Sequence, residues 1–349
     1  MSTQRPLSEL IPTVADYTLD LNFEDFIQGE RPMVLRGLLA TDDEEHTEIA
    51  EEYIDKAVRS QSSKGQLAYG SIDVVPEWDE HRVFRPVPDA GAFGYLVLDR
   101  YEAGGPDFYL DACRRQFEYF HEDAPRTEDG GLSHHIDGIE LWIDAVYMMC
   151  PFMARYGQVA DRPEAIEEAI DQILVHDKHL RDPKSDLYRH IWRETPDSYP
   201  DGSLWLRGNG WMANGILDTL RYVPDDHPER ETLQELVVTH LESIADYQDR
   251  SGFWHHLIDD TSMYLETSGT LQYAFAFTEA VDRGLLDEDY REHAERAVSA
   301  AKTVVTDDGA VQRNAAMPGG PEAPQAVNLY GQGWFLITGT RIEASDIDA

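Results

Sequence analysis

The chain has 349 residues, enough for two average domains or for one large fold of the barrel kind with a sizeable core. Its 67 acidic residues against 29 basic ones give a net charge of −38, which argues against nucleic acid or an anionic membrane as partner. Two cysteines without CxxC spacing argue against a disulfide framework, and neither an 18-residue apolar run nor an apolar signal core occurs, so a soluble, cytoplasmic protein is expected. Only five of the basic residues are lysines, and the acidic excess runs along the whole chain. That pattern resembles the surface of proteins from salt-loving organisms, where about 1 M salt shortens the Debye length to about 3 Å.

Helical periodicity dominates. Residues 1–25 carry no firm assignment, and Phe26 to Leu39 reads as an apolar helix. Glu45 to Arg59 is amphipathic, QLAYGSIDVV is a brief β-like piece, and GAFGYLVLDRY is apolar again. In DFYLDACRRQFEYF, Leu110, Cys113, Phe117 and Phe120 share one face, the mark of a helix with one wet side. The alternation continues through ELWIDAVYMMCPFMARY (apolar), PEAIEEAIDQILVHD (amphipathic), GNGWMANGILDTLRY (apolar) and Glu231 to Tyr247 (amphipathic). LETSGTLQYAFAFTEAV, Tyr290 to Val305 and NLYGQGWFLITG complete it, and the acidic tail 341–349 is expected to fray. A turn, a histidine and an apolar helix recur at His134, His190 and His255, which suggests αα-hairpins in a ring with their long loops lining one pocket. No linker divides the chain, so 1–349 is read as a single domain.

Asp144 is the only charge between Glu140 and Arg155, on a helix apolar on every side. A carboxylate in such a setting is costly unless paired, and acid or base chemistry becomes plausible there, a structural ion pair being the alternative. Asp89, Asp144, His134, Trp142, His190, Trp205, Arg207 and Trp211 all stand at the start of an apolar helix or in the loop before it. Aromatic faces with a few placed charges suit a sugar, although tryptophans also serve as plain core. If Asp89 faces Asp144, repulsion and burial raise the proton affinity of one of them; Asp89 could equally cap a helix. The pairs His134–His135 and His255–His256 invite a metal reading, but no HxxxH or HExxH pattern sets two ligands on one helical face, so no metal is expected.

GLSHHIDGIELWIDAVYMMCPFMARYG, LYRHIW followed by WLRGNGW, SGFWHHLIDDTSMYLETSGT and NLYGQGW together resemble the unsaturated glucuronyl and rhamnogalacturonyl hydrolases of glycoside hydrolase families 88 and 105. The resemblance runs from about Asp89 to the C-terminus. It implies an all-α (α/α)6 barrel and hydration of the double bond of a terminal 4,5-unsaturated uronic acid on a small oligosaccharide made by a lyase, without metal or organic cofactor. It further implies Asp144 as general acid/base and Asp89 as its carboxylate partner, with His134, Trp142, His190, Trp205, Arg207 and Trp211 contacting substrate. Ala145, Ile191 and Arg193 stand where the family more often has Gly, Gly and Asp. Two other readings remain at this stage: a different (α/α)6 enzyme such as a sugar epimerase, with histidines moving the proton, and a helical-repeat binding protein.

Overall fold

The computed structural model describes residues 5–23, 28–67, 87–136, 138–317 and 319–348. Six helices stand inside: α2 (Arg31–Ala40), α4 (Asp89–Glu102), α6 (Asp144–Val159), α8 (Leu206–Thr219), α10 (Thr267–Asp282) and α12 (Leu329–Asp348). Six stand outside: α1 (Leu7–Leu19), α3 (Glu44–Arg59), α5 (Asp107–Glu118), α7 (Pro163–Leu180), α9 (Arg230–Ala245) and α11 (Arg291–Lys302). Each inner helix packs on the next, and α12 packs on α2, so the ring closes as an (α/α)6 barrel. At that seam the backbones touch: a Cβ added at Gly37 of α2 would lie 2.8 Å from the carbonyl oxygen of Gly333 in α12.

The two helix types follow from pattern. Residues of α6 are buried without a break from Asp144 to Gly157, as are those of α8 from Leu206 to Thr219, so neither helix has a face for water. In α3 burial is confined to His46, Ala50, Ile54, Ala57 and Val58, and Asp43 caps the helix by accepting from the amides of Glu45 (2.9 Å) and His46 (3.2 Å). The expected inner and outer segments all appear, most of them within a few residues of their expected limits, while α12 runs well past its expected end. Most of QLAYGSIDVV, and the part of Phe26–Leu39 before Gln28, lie outside the described residues.

Three expectations change. The helix expected across ELWIDAVYM begins only at Asp144; Glu140–Trp142 is strand β1, antiparallel to β2 (Ile191–Arg193), which pairs with β3 (Ser198–Asp201). Residues 7–19, left unassigned from sequence, form outer helix α1, with Leu10, Ile11, Val14, Ala15 and Thr18 buried against α12. The acidic tail, expected to fray, is helical as far as Asp348, the end of α12, and at its start Arg341 donates to Glu279 (2.6 Å) and Ile342 packs on the core.

The sequence repeat has a backbone cause. The amide at the entrance of one inner helix donates to a carbonyl in the next loop: Val87 to His134 (3.0 Å), Ile143 to His190 (3.1 Å), Leu206 to His256 (2.9 Å) and Thr267 to Arg313 (3.0 Å). The third member of the series is therefore His256, one residue past the expected His255. At the opposite end of the ring the charges are paired: Arg36 meets Asp218 (2.7 Å), and Glu279 accepts from Arg221, Arg283 and Arg341.

Candidate active site

The loop-to-helix hydrogen bonds bring the first turns of α4, α6, α8 and α10 to one end of the ring. Because Ile143 bonds to the carbonyl of His190, Asp144 opens α6 beside that imidazole, and Asp144 Oδ2 lies 3.6 Å from His190 Nε2. Asn209 fixes the same loop from α8, its amide bonding to Tyr188 N (2.7 Å) and Tyr188 O (2.8 Å). Asp89 does not cap α4; Pro88 holds the capping position, and Asp89 is the first helical residue, its side chain turned inward. The backbone at Gly29 lies against it, since a Cβ there would be 2.5 Å from Asp89 Oδ2.

Asp89 and Asp144 are 5% and 8% exposed. Burial, and after it the neighbouring Asp144 carboxylate, pushes the Asp89 carboxyl well above the usual range, so Asp89 is the member of the pair that keeps a proton. His190 shifts the other way from a merely buried histidine. Burial opposes its charge, but Asp144 and Asp201 outweigh burial and raise its pKa. His134 lies well below its ordinary value, because of burial first and the imidazoles of His135, His190 and His176 second, and is therefore neutral.

The aromatic residues form a wall around these groups. His134 stacks on Trp142 with centroids 4.3 Å apart and planes 6° apart, and His190 meets the edge of Trp142 at 5.2 Å and Trp205 at 4.6 Å. Trp142 keeps a partly open face; its indole nitrogen donates to Glu140 (2.9 Å), which also accepts from Arg193 (2.8 Å). Arg193 thus braces the Trp142 platform across the β1–β2 ladder. Arg207 is fully buried between the rings of Trp205 (4.7 Å) and Tyr330 (4.8 Å), donates to Ala315 O (2.8 Å) and lies 3.8 Å from Glu266.

Trp211, expected to contact substrate, has no exposed surface and packs between Tyr147, Tyr330 and Trp334 in the barrel interior. It reaches the site through those neighbours. Trp205 is also fully buried, beneath the loop that carries Gly319 and Gly320. Buried polar atoms that have no protein partner among the described residues gather here: Asp144 Oδ2, His190 Nε2, His134 Nδ1, Trp205 Nε1 and Arg207 Nε. Their concentration in one place is the signature of a site built for a polar ligand. Sequence reasoning missed Tyr330, whose phenol is pushed up by burial, Asp89 and Glu30, and Asp201, which bonds His190 (2.8 Å). NLYGQGW had signalled the first; Asp201 had no signal beyond its nearness to WLRGNGW. Among the described residues no group of three His, Cys, Asp or Glu side chains could hold a metal ion.

A ring of helical hairpins with a buried carboxyl pair under an indole and imidazole wall defines a carbohydrate-processing enzyme of the (α/α)6 class. The chain belongs to Glycosyl Hydrolase Family 88, whose profile matches residues 33–345. Unsaturated rhamnogalacturonyl hydrolase YesR of Bacillus subtilis is 28% identical over 252 residues, which span 69% of this chain and 72% of that protein. An unsaturated 3S-rhamnoglycuronyl hydrolase of Formosa agariphila is 27% identical over 215 residues, 58% of this chain and 57% of the other. Among solved structures, a possible family 105 glycoside hydrolase from Klebsiella pneumoniae superposes with a TM-score of 0.82 at 23% identity, covering 97% of this chain and 93% of that one. The unsaturated glucuronyl hydrolase of Bacillus sp. GL1 gives 0.73 at 14% identity, covering 99% and 97%. At such identities these two likenesses speak for the fold.

Proposed function

We propose that this glycoside hydrolase removes a terminal 4,5-unsaturated uronic acid from lyase-generated oligosaccharides by hydrating its double bond. The observation that carries the reading is the buried pair Asp89 and Asp144, one of which is pushed to hold a proton. Such a pair can deliver a proton near neutral pH and receive one back. The names of the similar hydrolases from Bacillus subtilis and Formosa agariphila support the same substrate class.

In this scheme the one proton of the pair, resting on Asp89, passes to Asp144, which gives it to C4 and then takes one from the water that adds at C5. The new C5 hydroxyl makes a hemiketal; the bond from C5 to the ring oxygen breaks, leaving a ketone at C5 and a hemiacetal at C1, which releases the aglycone as an alcohol. One water is consumed and the carboxyl pair ends as it began. Asp89 keeps the pair from holding two charges at once. Trp142 on His134 offers the sugar a flat apolar face, and His190 and Arg207 supply the positive charge that a uronate requires, with Trp205 as the wall between them and Trp211 supporting Tyr330. The scheme uses no metal or organic cofactor.

The reading extends to setting. The net charge of −38 with five lysines supports work in concentrated salt, and two buried, unpaired thiols, Cys113 and Cys150, are compatible with a reducing cytoplasm. No described helix is long and apolar enough to cross a membrane. The test is incubation with a panel of lyase-generated oligosaccharides while following the ultraviolet absorbance of the double bond. Hydration destroys that chromophore. An intact chromophore across the whole panel, or an epimerised sugar that retains it, would overturn the proposal.

A further inference from the structure

We infer that Asp201 is a positioning residue: by accepting the Nδ1–H of His190 it fixes that ring with Nε2 facing Asp144, so that Asp201, His190 and Asp144 work as one chain. The inference rests on the hydration reading, in which Asp144 exchanges the proton. The geometry is specific. Asp201 Oδ2 lies 2.8 Å from His190 Nδ1, and on the far side of the ring His190 Nε2 lies 3.6 Å from Asp144 Oδ2. Asp201 is itself held, its Oδ1 accepting from the amide of Ser203 (2.9 Å), while the amide of His190 donates to Ser203 O (3.1 Å). One turn thus fixes both members.

Gly320 covers the pair, with φ +80; a Cβ added there would be 3.1 Å from Asp201 Oδ2 and 3.9 Å from His190 Nδ1. Its carbonyl lies 2.7 Å from His256 Nε2, which holds the cover down. The titratable groups facing His190 are Asp144 from α6, Asp201 from β3, His134 from the loop before β1 and His256 from the loop before α10. The two carboxylates favour the imidazolium; the two histidines oppose it. Removing the Asp201 charge therefore makes the His190 proton easier to lose and frees the ring to change tautomer.

Asp201→Asn, Asp201→Glu and the wild type would be compared by chromophore loss across pH, and His190 would be titrated in each by NMR. The expected result for Asp201→Asn is a kcat lower by about tenfold or more with KM within about threefold, and an alkaline limb moved to lower pH, Asp201→Glu recovering part of both. The His190 resonances should show a lower pKa and a mixed tautomer. Asp201→Asn with a wild-type kcat and alkaline limb, or with an unmoved His190 titration, would overturn the inference. If the wild type consumes no unsaturated substrate, the hydration reading fails, and the NMR titration still decides whether Asp201 governs His190.

Discussion

Two carboxylates of the barrel interior, Asp144 and Asp218, are both buried, Asp218 the more completely, and neutralising them should have opposite consequences. Asp218 is bound to Arg36 at 2.7 Å and to Arg221 at 3.2 Å, with its side chain only 1% exposed. Asp218→Asn leaves the Arg36 guanidinium half-buried without its counter-charge, which should cost about 3–5 kcal/mol and leave the turnover of the folded fraction intact. Among the described residues Asp144 has only the 3.6 Å approach of His190, a histidine that keeps Asp201, and its charge helps to hold the proton on Asp89. In Asp144→Asn one weak pairing is lost while Asp89, no longer beside a charge, becomes easier to ionise, so stability should stay within about 1 kcal/mol of wild type. Turnover should fall by at least the roughly 10² to 10⁴-fold that one positioned acid or base contributes, since this residue would serve as both. Both variants would be measured for melting temperature and for chromophore loss at saturating substrate. A well-folded Asp144→Asn enzyme turning over near the wild-type rate would falsify the assignment, and a destabilisation matching that of Asp218→Asn would reduce Asp144 to a structural ion.

The proton on Asp89 gives a stability prediction with a definite sign. A carboxyl whose folded pKa is raised takes up a proton on folding, so its contribution is complete below the ordinary carboxylate range and is lost as pH rises through its own higher value. Asp89→Asn, which imitates the protonated form, should melt above wild type near about pH 9, with the gap closing only below about pH 4; an equal gap at both pH values would contradict this. Raising salt from about 0.1 M to about 3 M should raise the wild-type melting temperature, and a flat response would remove the halophilic reading. Activity should be indifferent to EDTA; loss on chelation with recovery on adding a divalent ion would bring the histidine-cluster reading back.

The ring was legible because its helices are chemically of two kinds. An all-apolar stretch such as that following Asp144 has nowhere to go but inside, and an amphipathic one such as residues 163–177 has nowhere to go but outside. Helix α1 was less visible: Pro12 interrupts the pattern and only Leu10, Ile11, Val14, Ala15 and Thr18 mark its dry face. Asp89 and Asp144 were legible as isolated charges at helix starts. Asp201 was not, because nothing in its own neighbourhood differs from an ordinary turn aspartate; its importance comes from a histidine eleven positions earlier, brought back by the β2–β3 ladder. The depth of Trp205 and Trp211 was not legible either: at the N-cap of α8 and one turn into it, both are without exposed surface, which their common WLRGNGW context does not reveal.

Every inner helix starts at the same end of the ring, and that end holds Asp89, Asp144, Arg207, Glu266 and Tyr330. Each start carries a fractional positive charge, about half a unit, from its unpaired amides. Glu266 quenches one, bonding the amides of Ser268 (3.0 Å) and Gly269 (2.6 Å). The others, with the Arg207 guanidinium, are the positive groups that a sugar acid would meet at this end of a molecule of net charge −38. An anionic sugar is therefore repelled at a distance and attracted at the mouth, and added salt weakens both fields, the outer one more. Capture of substrate should accordingly quicken with salt up to the point where the outer field is screened, and slow beyond it, so that ionic strength sets how far from the mouth a sugar acid is turned away.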